Sequence, residues 1–95
     1  MRFKDKIIFI TGAAGGIGHD ACLSFAKEGA SIAVTDIDIK MAKKVSDEIK
    51  KNGGDAEPYE LDVTNILDTQ SVMEKVKDRF GGVDVAFCNA GIREI

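Results

Sequence analysis

Four glycines lie between the first apolar stretch of the chain and the first segment with helical spacing. They are Gly12, Gly15, Gly16 and Gly18. A helix amino terminus presents unpaired N–H groups and a partial positive charge, and it is therefore suited to bind a diphosphate. Glycine leaves room for such a group and permits the positive φ that a tight turn requires. We expect Gly12 to form the turn, Gly16 to leave space for phosphate, and Gly18 to let the helix pack closely on the strand.

An acidic residue, Asp36, ends the second apolar stretch, 18 residues after Gly18. In dinucleotide-binding proteins a carboxylate at about this distance accepts hydrogen bonds from the adenosine ribose. A 2′-phosphate would be repelled there, and no arginine or lysine stands at Ala13, Ala14 or Ile37 to receive it. The sequence therefore favours NAD over NADP. The alternative is that Asp36 is only a turn or helix-capping acid.

These residues need a scaffold of alternating strands and helices, which the apolar pattern predicts. Strands are expected at residues 6–11, 30–36, 56–61 and 83–88. Helices are expected at residues 16–28, at 39–52 after the cap Asp38, and from Thr64 or Asp68 to the Gly81-Gly82 pair. The order β-α-β-α-β-α-β implies a parallel sheet with right-handed crossovers. The predicted fold class is α/β, the N-terminal half of a doubly wound (Rossmann-type) sheet with strand order 3-2-1-4.

Two of the predicted strands differ in how well they suit the edge of a sheet. Pro58 cannot donate to a strand ladder, so the third strand is expected at an edge. The fourth strand is apolar apart from Asp84, and an exposed apolar edge favours association. We therefore expect another strand beside it, and self-association of this chain through it. Residues 1–95 are interpreted as a partial dinucleotide-binding domain that lacks a catalytic C-terminal half.

Apolar residues at helical spacing are expected to cover the sheet. The three stripes are Ile17, Ala21 and Phe25; Met41, Val45 and Ile49; and Val72, Val76 and Phe80. Cys22 and Cys88 stand in apolar sequence surroundings and are expected to be buried. His19, in the first helical turn, is expected to face solvent, with contact to a phosphate as the alternative.

The composition argues against several other classes of protein. The net charge is −3, and the basic residues are mixed with acids, so we expect no nucleic-acid partner and no membrane partner. Two cysteines and one histidine lack metal-ligand spacing, so no metal site is expected. No apolar run approaches membrane-spanning length, and residues 1–6 do not resemble a signal peptide. We predict a cytoplasmic protein.

Four motifs, each after its own predicted strand, resemble those of the short-chain dehydrogenase/reductase family. Residues 11–18, TGAAGGIG, match the TGxxxGxG cofactor motif, and Asp36 stands where NAD-preferring members carry an acid. Asp62-Val63 resembles the family's adenine-contacting pair, although Asp62 is also a candidate cap for the third helix. Residues 89–91 match the NAG motif, which stabilises the central sheet and lines the adenosine side of the cofactor.

The resemblance implies a cofactor-binding site drawn from all four motifs. Its predicted members are Gly12, Ala14, Gly15, Gly16, Ile17, Gly18, Asp36, Ile37, Asp62, Val63, Asn89, Ala90 and Gly91. By analogy, the backbone N–H of Ile17 is aimed at the pyrophosphate, and the Asp62 carboxylate accepts from the adenine amine. The implied cofactor is NAD, with NADP disfavoured, and the implied full-length protein is a homo-oligomer.

The resemblance also implies hydride transfer between the nicotinamide cofactor and an alcohol/carbonyl pair, which the family performs with a serine and a Tyr-x-x-x-Lys motif. The chain has one tyrosine, Tyr59, and Val63 stands four residues later. Its serines all precede the region where the family's serine lies. We therefore expect the chain to bind cofactor without turnover and to hold no catalytic residue. The alternatives are a non-enzymatic dinucleotide-binding module and the remnant of a truncated gene. A methyltransferase is disfavoured by the Thr-led loop.

Overall fold

The computed structural model describes residues 3–13 and 15–88, in which strands and helices alternate. The strands are β1 (Ile7–Thr11), β2 (Ser31–Asp36), β3 (Asp55–Glu60) and β4 (Val85–Cys88). The helices are α1 (Gly16–Lys27), α2 (Ile39–Lys51) and α3 (Ile66–Phe80). All paired strands are parallel, in the order β3-β2-β1-β4. The predicted fold class and strand order are confirmed, as is the edge position of the strand that carries Pro58.

Strand β4 begins two residues later than predicted, because Asp84 pairs with β1 in a different way. The Asp84 carboxylate accepts a hydrogen bond from the Ile7 amide at 2.8 Å. The Asp84 amide in turn donates to the Ile7 carbonyl at 2.8 Å. A side chain therefore takes the place of a backbone carbonyl at this position, and the regular ladder starts at Val85.

Helices α1 and α2 cover one face of the sheet. Successive strand residues point to opposite faces, so Ile8 and Ile10 of β1 share this face with Ile32 and Val34 of β2. They pack with Cys22 of α1 and with Ala42, Val45 and Ile49 of α2. Burial of these side chains is the main force that holds both helices to the sheet.

Helix α3 covers the opposite face. Phe9 of β1 and Ala33 of β2 pack there with Val72 and Val76 of α3 and with Leu61, which follows β3. The Arg79 guanidinium joins the end of this helix to the edge strand, since it donates to Asp55 at 2.8 Å and to Glu57 at 3.2 Å.

One of the two predicted helix caps is confirmed and the other is wrong. Asp38 caps α2, and its carboxylate accepts from the amides of Lys40 and Met41 at 3.1 and 3.4 Å. Helix α3 is capped by Asn65, whose side chain accepts from the Asp68 amide at 3.0 Å. Neither Thr64 nor Asp68 caps it, because the Thr64 hydroxyl donates to Asp62 and Asp68 lies within the first turn of the helix, where its carboxylate accepts from the Asp62 amide.

Three side chains are more exposed than predicted. Ile17 is 65% exposed and Met41 is 39% exposed, because each stands in the first turn of its helix, away from the apolar layer. Cys22 is buried as predicted, whereas Cys88 is exposed. Strand β4 is an edge of the sheet within the described part of the chain, so no described element covers Cys88.

Candidate cofactor-binding site

The turn between β1 and α1 is held by backbone hydrogen bonds. Gly12 has φ 61°, a left-handed conformation that favours glycine, as predicted for a tight turn. The Gly15 amide donates to the Gly12 carbonyl at 3.2 Å, and the Ala13 amide donates to the Thr35 carbonyl at 2.9 Å. The second bond ties the turn to β2, one residue before Asp36.

Gly16 and Gly18 have different surroundings. A Cβ added at Gly18 would stand 2.9 Å from the Gly12 carbonyl carbon and 3.0 Å from the Ala13 Cα, closer than real contacts allow. Gly18 therefore lets α1 pack closely against the turn that directly follows β1. A Cβ at Gly16 would meet no described atom within 4 Å. The structure thus leaves open space beside Gly16.

The amino terminus of α1 opens onto this turn. The His19 amide donates to the Gly15 carbonyl at 2.7 Å, so the amides of Gly16, Ile17 and Gly18 precede the first α-helical hydrogen bond. No acidic residue stands in this first turn. Three amides, the positive end of the helix dipole and open space form an arrangement that fits a phosphate group.

Asp36 ends β2 next to the glycine turn and has a turn contact of its own. Its carboxylate accepts from the Asp38 amide at 3.0 Å. Asp36 thus makes a turn contact, which holds its carboxylate at the carboxyl end of the strand. The next side chain, Ile37, is 67% exposed. Ligands of open α/β sheets bind in this position, outside the carboxyl ends of the strands.

A second backbone link joins Asp36 to the end of β3. The Leu61 amide donates to the Asp36 carbonyl at 2.9 Å, and Asp62 follows directly. The glycine turn, Asp36 and Asp62 therefore lie side by side at the carboxyl end of the sheet. The structure brings these three predicted groups together.

An open cleft of about 310 Å³ lies between the ends of β2 and β3 and helix α3. It is lined by Ile37, Tyr59, Glu60, Asp62, Asp68, Val72 and Lys75. Two of these residues, Ile37 and Asp62, were predicted site members. The others were not predicted as site residues, because nothing in their spacing links the strand to the helix.

Asp62 is held by its neighbours in the loop before α3. Its Oδ1 accepts from the Thr64 amide at 3.0 Å and from the Thr64 hydroxyl at 2.6 Å. These two bonds lower the pKa of the Asp62 carboxyl below its ordinary value, so the group is ionised at neutral pH. The Asp62 amide donates to the Asp68 carboxylate at 2.9 Å. The alternative that Asp62 caps α3 is wrong, since Asn65 does so.

His19 has a partner that the sequence analysis did not predict. Its Nε2 lies 2.9 Å from Oε1 of Glu48, which joins α1 to α2. The histidine side chain is 37% exposed, so it is partly solvent-facing as expected. The pairing depends on how the two helices lie against each other, which periodicity does not give.

Tyr59, which lines the cleft, has a raised hydroxyl pKa. Burial raises the pKa of its hydroxyl, the negative charge of Glu57 raises it further, and Arg79 partly offsets this. The hydroxyl therefore stays protonated at neutral pH, whereas a tyrosine base requires a lowered pKa. Within residues 3–13 and 15–88, no cluster of three potential metal ligands is found.

Some predictions lie outside the described residues or stay untested. Ala14, Asn89, Ala90 and Gly91 belong to the first group. Among the helices of the described part of the chain, none has the length and apolar content to cross a membrane. The cytoplasmic location stays a prediction.

The strand order and the alternation of helices place the chain among the Rossmann-like α/β proteins. The family model of the short chain dehydrogenases matches residues 6–95. The chain belongs to this family, which confirms the resemblance found in its motifs.

Individual relatives show the same relationship. The chain is 40% identical over 91 residues to the uncharacterized oxidoreductase YxbG of Bacillus subtilis, covering 96% of this chain and 33% of YxbG. Its fold is similar to that of a short chain dehydrogenase from Mycobacterium avium, with a TM-score of 0.91 and 33% identity over 99% of this chain and 36% of that one. It is also similar to NAD⁺-bound xylitol dehydrogenase, with a TM-score of 0.87 and 30% identity over 90% of this chain and 33% of that one. The chain thus spans about a third of the length of these proteins.

Proposed function

We propose that this chain binds the ADP portion of a nicotinamide dinucleotide and prefers NAD to NADP. The observation that carries the proposal is the open glycine turn at the start of α1, joined by a backbone hydrogen bond to the strand that ends in Asp36. An anion-binding helix terminus beside a carboxylate suits a pyrophosphate and an unphosphorylated ribose together.

Each part of the cofactor has a proposed partner. The pyrophosphate contacts the turn and the first amides of α1, at Gly12, Ala14, Gly15, Gly16, Ile17 and Gly18. Asp36 accepts from the ribose hydroxyls. The exposed apolar side chains of Ile37 and Val63 flank the adenine, and Asp62 accepts from its amine. The motif at Asn89, Ala90 and Gly91 lines the adenosine side.

We propose that the whole protein is an oxidoreductase that transfers hydride between this cofactor and an alcohol/carbonyl pair. Family membership supports this reaction class. The nicotinamide ring accepts or donates the hydride when the cofactor is bound. This chain contributes cofactor binding and no turnover, because its single tyrosine lacks a lysine four residues later.

The direct test is calorimetric titration of the chain with NAD, NADP and ADP-ribose. We expect NAD to bind at least about tenfold more tightly than NADP, a difference of roughly 1.4 kcal/mol. ADP-ribose should retain most of the affinity, since the proposed contacts are to the ADP portion. Absence of NAD binding would overturn the proposal, and equal binding of NAD and NADP would overturn the role of Asp36.

A second candidate function is a non-enzymatic dinucleotide-binding module. The observation in its favour is that Val63, and no lysine, stands four residues after Tyr59. The coding sequence after Ile95 distinguishes the two functions. A downstream serine and Tyr-x-x-x-Lys motif would support the enzyme, and their absence would support the module.

Association with other copies is proposed at β4. Its outer edge pairs with no described strand, and Val85 is 38% exposed. An unpaired apolar edge is a template for further pairing. Sedimentation of the chain over a range of concentrations tests this, and a monomer at every concentration would count against it. A homo-oligomeric full-length protein stays a prediction from the family resemblance.

A further inference from the structure

The Asp62 carboxylate is held through only one of its two oxygens. Both bonds from Thr64, from the amide at 3.0 Å and from the hydroxyl at 2.6 Å, end on Oδ1. No described residue donates a hydrogen bond to Oδ2. Because Asp62 lines the cleft beside Ile37, one oxygen is committed to the loop and the other is left for a ligand.

The backbone of Asp62 is fixed independently of its side chain. Its amide donates to Oδ2 of Asp68 at 2.9 Å, and Asp68 in turn stands in the first turn of α3, where Asn65 accepts from its amide. The carboxylate is therefore attached to the helix by its main chain and oriented by Thr64. An acceptor with a fixed direction loses less conformational freedom on binding a ligand than a freely rotating one.

We propose that Thr64 is a positioning residue for recognition of the base. Thr64 holds Oδ1 of Asp62, so that Oδ2 accepts from an exocyclic amine. The inference rests on the proposed function and deepens it, because it assigns the selection of adenine to a residue that does not itself contact the cofactor. A carboxylate fixed in this way accepts from the amine of adenine and repels the carbonyl that replaces it in hypoxanthine.

The test compares NAD with nicotinamide hypoxanthine dinucleotide, in which a carbonyl replaces the exocyclic amine and the neighbouring ring nitrogen N1 carries a hydrogen. We expect the natural chain to prefer NAD by about tenfold, the order of one charge-assisted hydrogen bond. Thr64→Val keeps the side-chain shape and removes the hydroxyl, and it should reduce the preference to within about threefold. Thr64→Ser keeps the hydroxyl and should keep the preference. A role in folding alone would weaken both dinucleotides equally.

A second variant gives a result of opposite sign. In Asp62→Asn, the two Thr64 donors require the amide oxygen as their acceptor, so the amide nitrogen takes the place of Oδ2. A donor then faces the base, and the chain should bind the hypoxanthine dinucleotide more tightly than NAD. The double variant Asp62→Asn/Thr64→Val should show a smaller inversion, because only the main-chain amide of residue 64 then holds the amide oxygen.

The outcomes separate the inference from the proposed function. A natural chain that binds no dinucleotide overturns both. A chain that binds NAD, together with a Thr64→Val variant of unchanged preference, overturns the inference alone. The link between Thr64 and Asp62 has its own readout in the carboxyl ¹³C titration of Asp62. Its pKa should rise in Thr64→Val and stay low in Thr64→Ser, and equal values in all three chains would contradict the proposed orientation.

Discussion

Gly18 and Gly12 touch at the start of α1, so closely that no side chain fits between them. A Cβ on Gly18 would stand 2.9 Å from the Gly12 carbonyl carbon. The turn that Gly12 begins is thus closed by the helix that follows it. This contact distinguishes Gly18, which the fold requires to be glycine, from Gly16, beside which the space is open.

The contact predicts that Gly18→Ala destabilises the chain. The added methyl group must displace backbone of the turn, and such overpacking costs about 1–3 kcal/mol. Urea denaturation followed by circular dichroism measures the change in the free energy of unfolding. Gly16→Ala is the matched control and should cost less than about 1 kcal/mol, since its Cβ enters open space. Equal effects of the two substitutions would refute the distinction.

Gly16→Val should leave the fold intact and weaken NAD binding. The valine side chain would occupy the space proposed for the pyrophosphate, and we expect a loss of at least about tenfold in affinity by calorimetry. Gly82→Val is the control, because Gly82 also borders open space but lies after α3. It should bind NAD as the natural chain does. Unchanged affinity in Gly16→Val would place the pyrophosphate elsewhere.

Asp36→Asn should reduce the discrimination against NADP. The substitution removes the negative charge that repels the 2′-phosphate, while its amide oxygen still accepts from the Asp38 amide. For a charge pair near the surface we expect roughly a tenfold improvement in NADP binding relative to NAD. Asp38→Asn, two residues later, keeps the helix cap and should leave the preference unchanged. If both variants shift the preference equally, Asp36 is not the selecting residue.

The two cysteines should react at different rates. Burial raises the pKa of the Cys22 thiol to about 12, so it is neutral and inaccessible in the folded chain. Cys88 is exposed. Iodoacetamide at mildly alkaline pH should modify Cys88 in the folded chain. It should modify Cys22 only after denaturant is added, as peptide mass spectrometry can show. Modification of Cys22 at the same rate would contradict its burial.

The raised pKa of Cys22 also makes the free energy of unfolding depend on pH. The folded chain keeps this proton while the unfolded chain releases it above pH 9.0, the ordinary value for the thiol. The contribution of Cys22 is therefore fully present below pH 9.0 and is lost as the pH rises towards about 12. Cys22→Ala should show a smaller loss of stability over this range, although it is less stable at neutral pH because of the cavity it leaves.

The sheet could be predicted from sequence because its signals are local. Apolar runs of strand length alternate with helical stripes, and Pro58 identifies an edge strand. The cap of α3 could not be chosen in the same way. Thr64, Asn65 and Asp68 all have side chains that cap helices, and only the contact of Thr64 with Asp62 leaves the role to Asn65.

The site was predicted where a motif marks it and missed where it depends on packing. The glycine turn and Asp62 follow strands, and Asp36 ends one. The parallel sheet therefore brings all three to its carboxyl end. Tyr59 of β3 and Lys75 of α3 line the same cleft only because the fold brings these two elements together. The exposure of Cys88 and the pairing of His19 with Glu48 likewise depend on what lies beside them in space.

Two main-chain hydrogen bonds, from Ala13 to Thr35 and from Leu61 to Asp36, set the spacing of the turn and the two acids. Main-chain hydrogen bonds form whichever side chains the residues carry. This frame therefore does not depend on the chemical identity of those residues. Individual side chains can therefore be exchanged without rebuilding the loop architecture. Engineering of cofactor choice in this protein should begin with single substitutions at the strand ends, with no need for loop grafting.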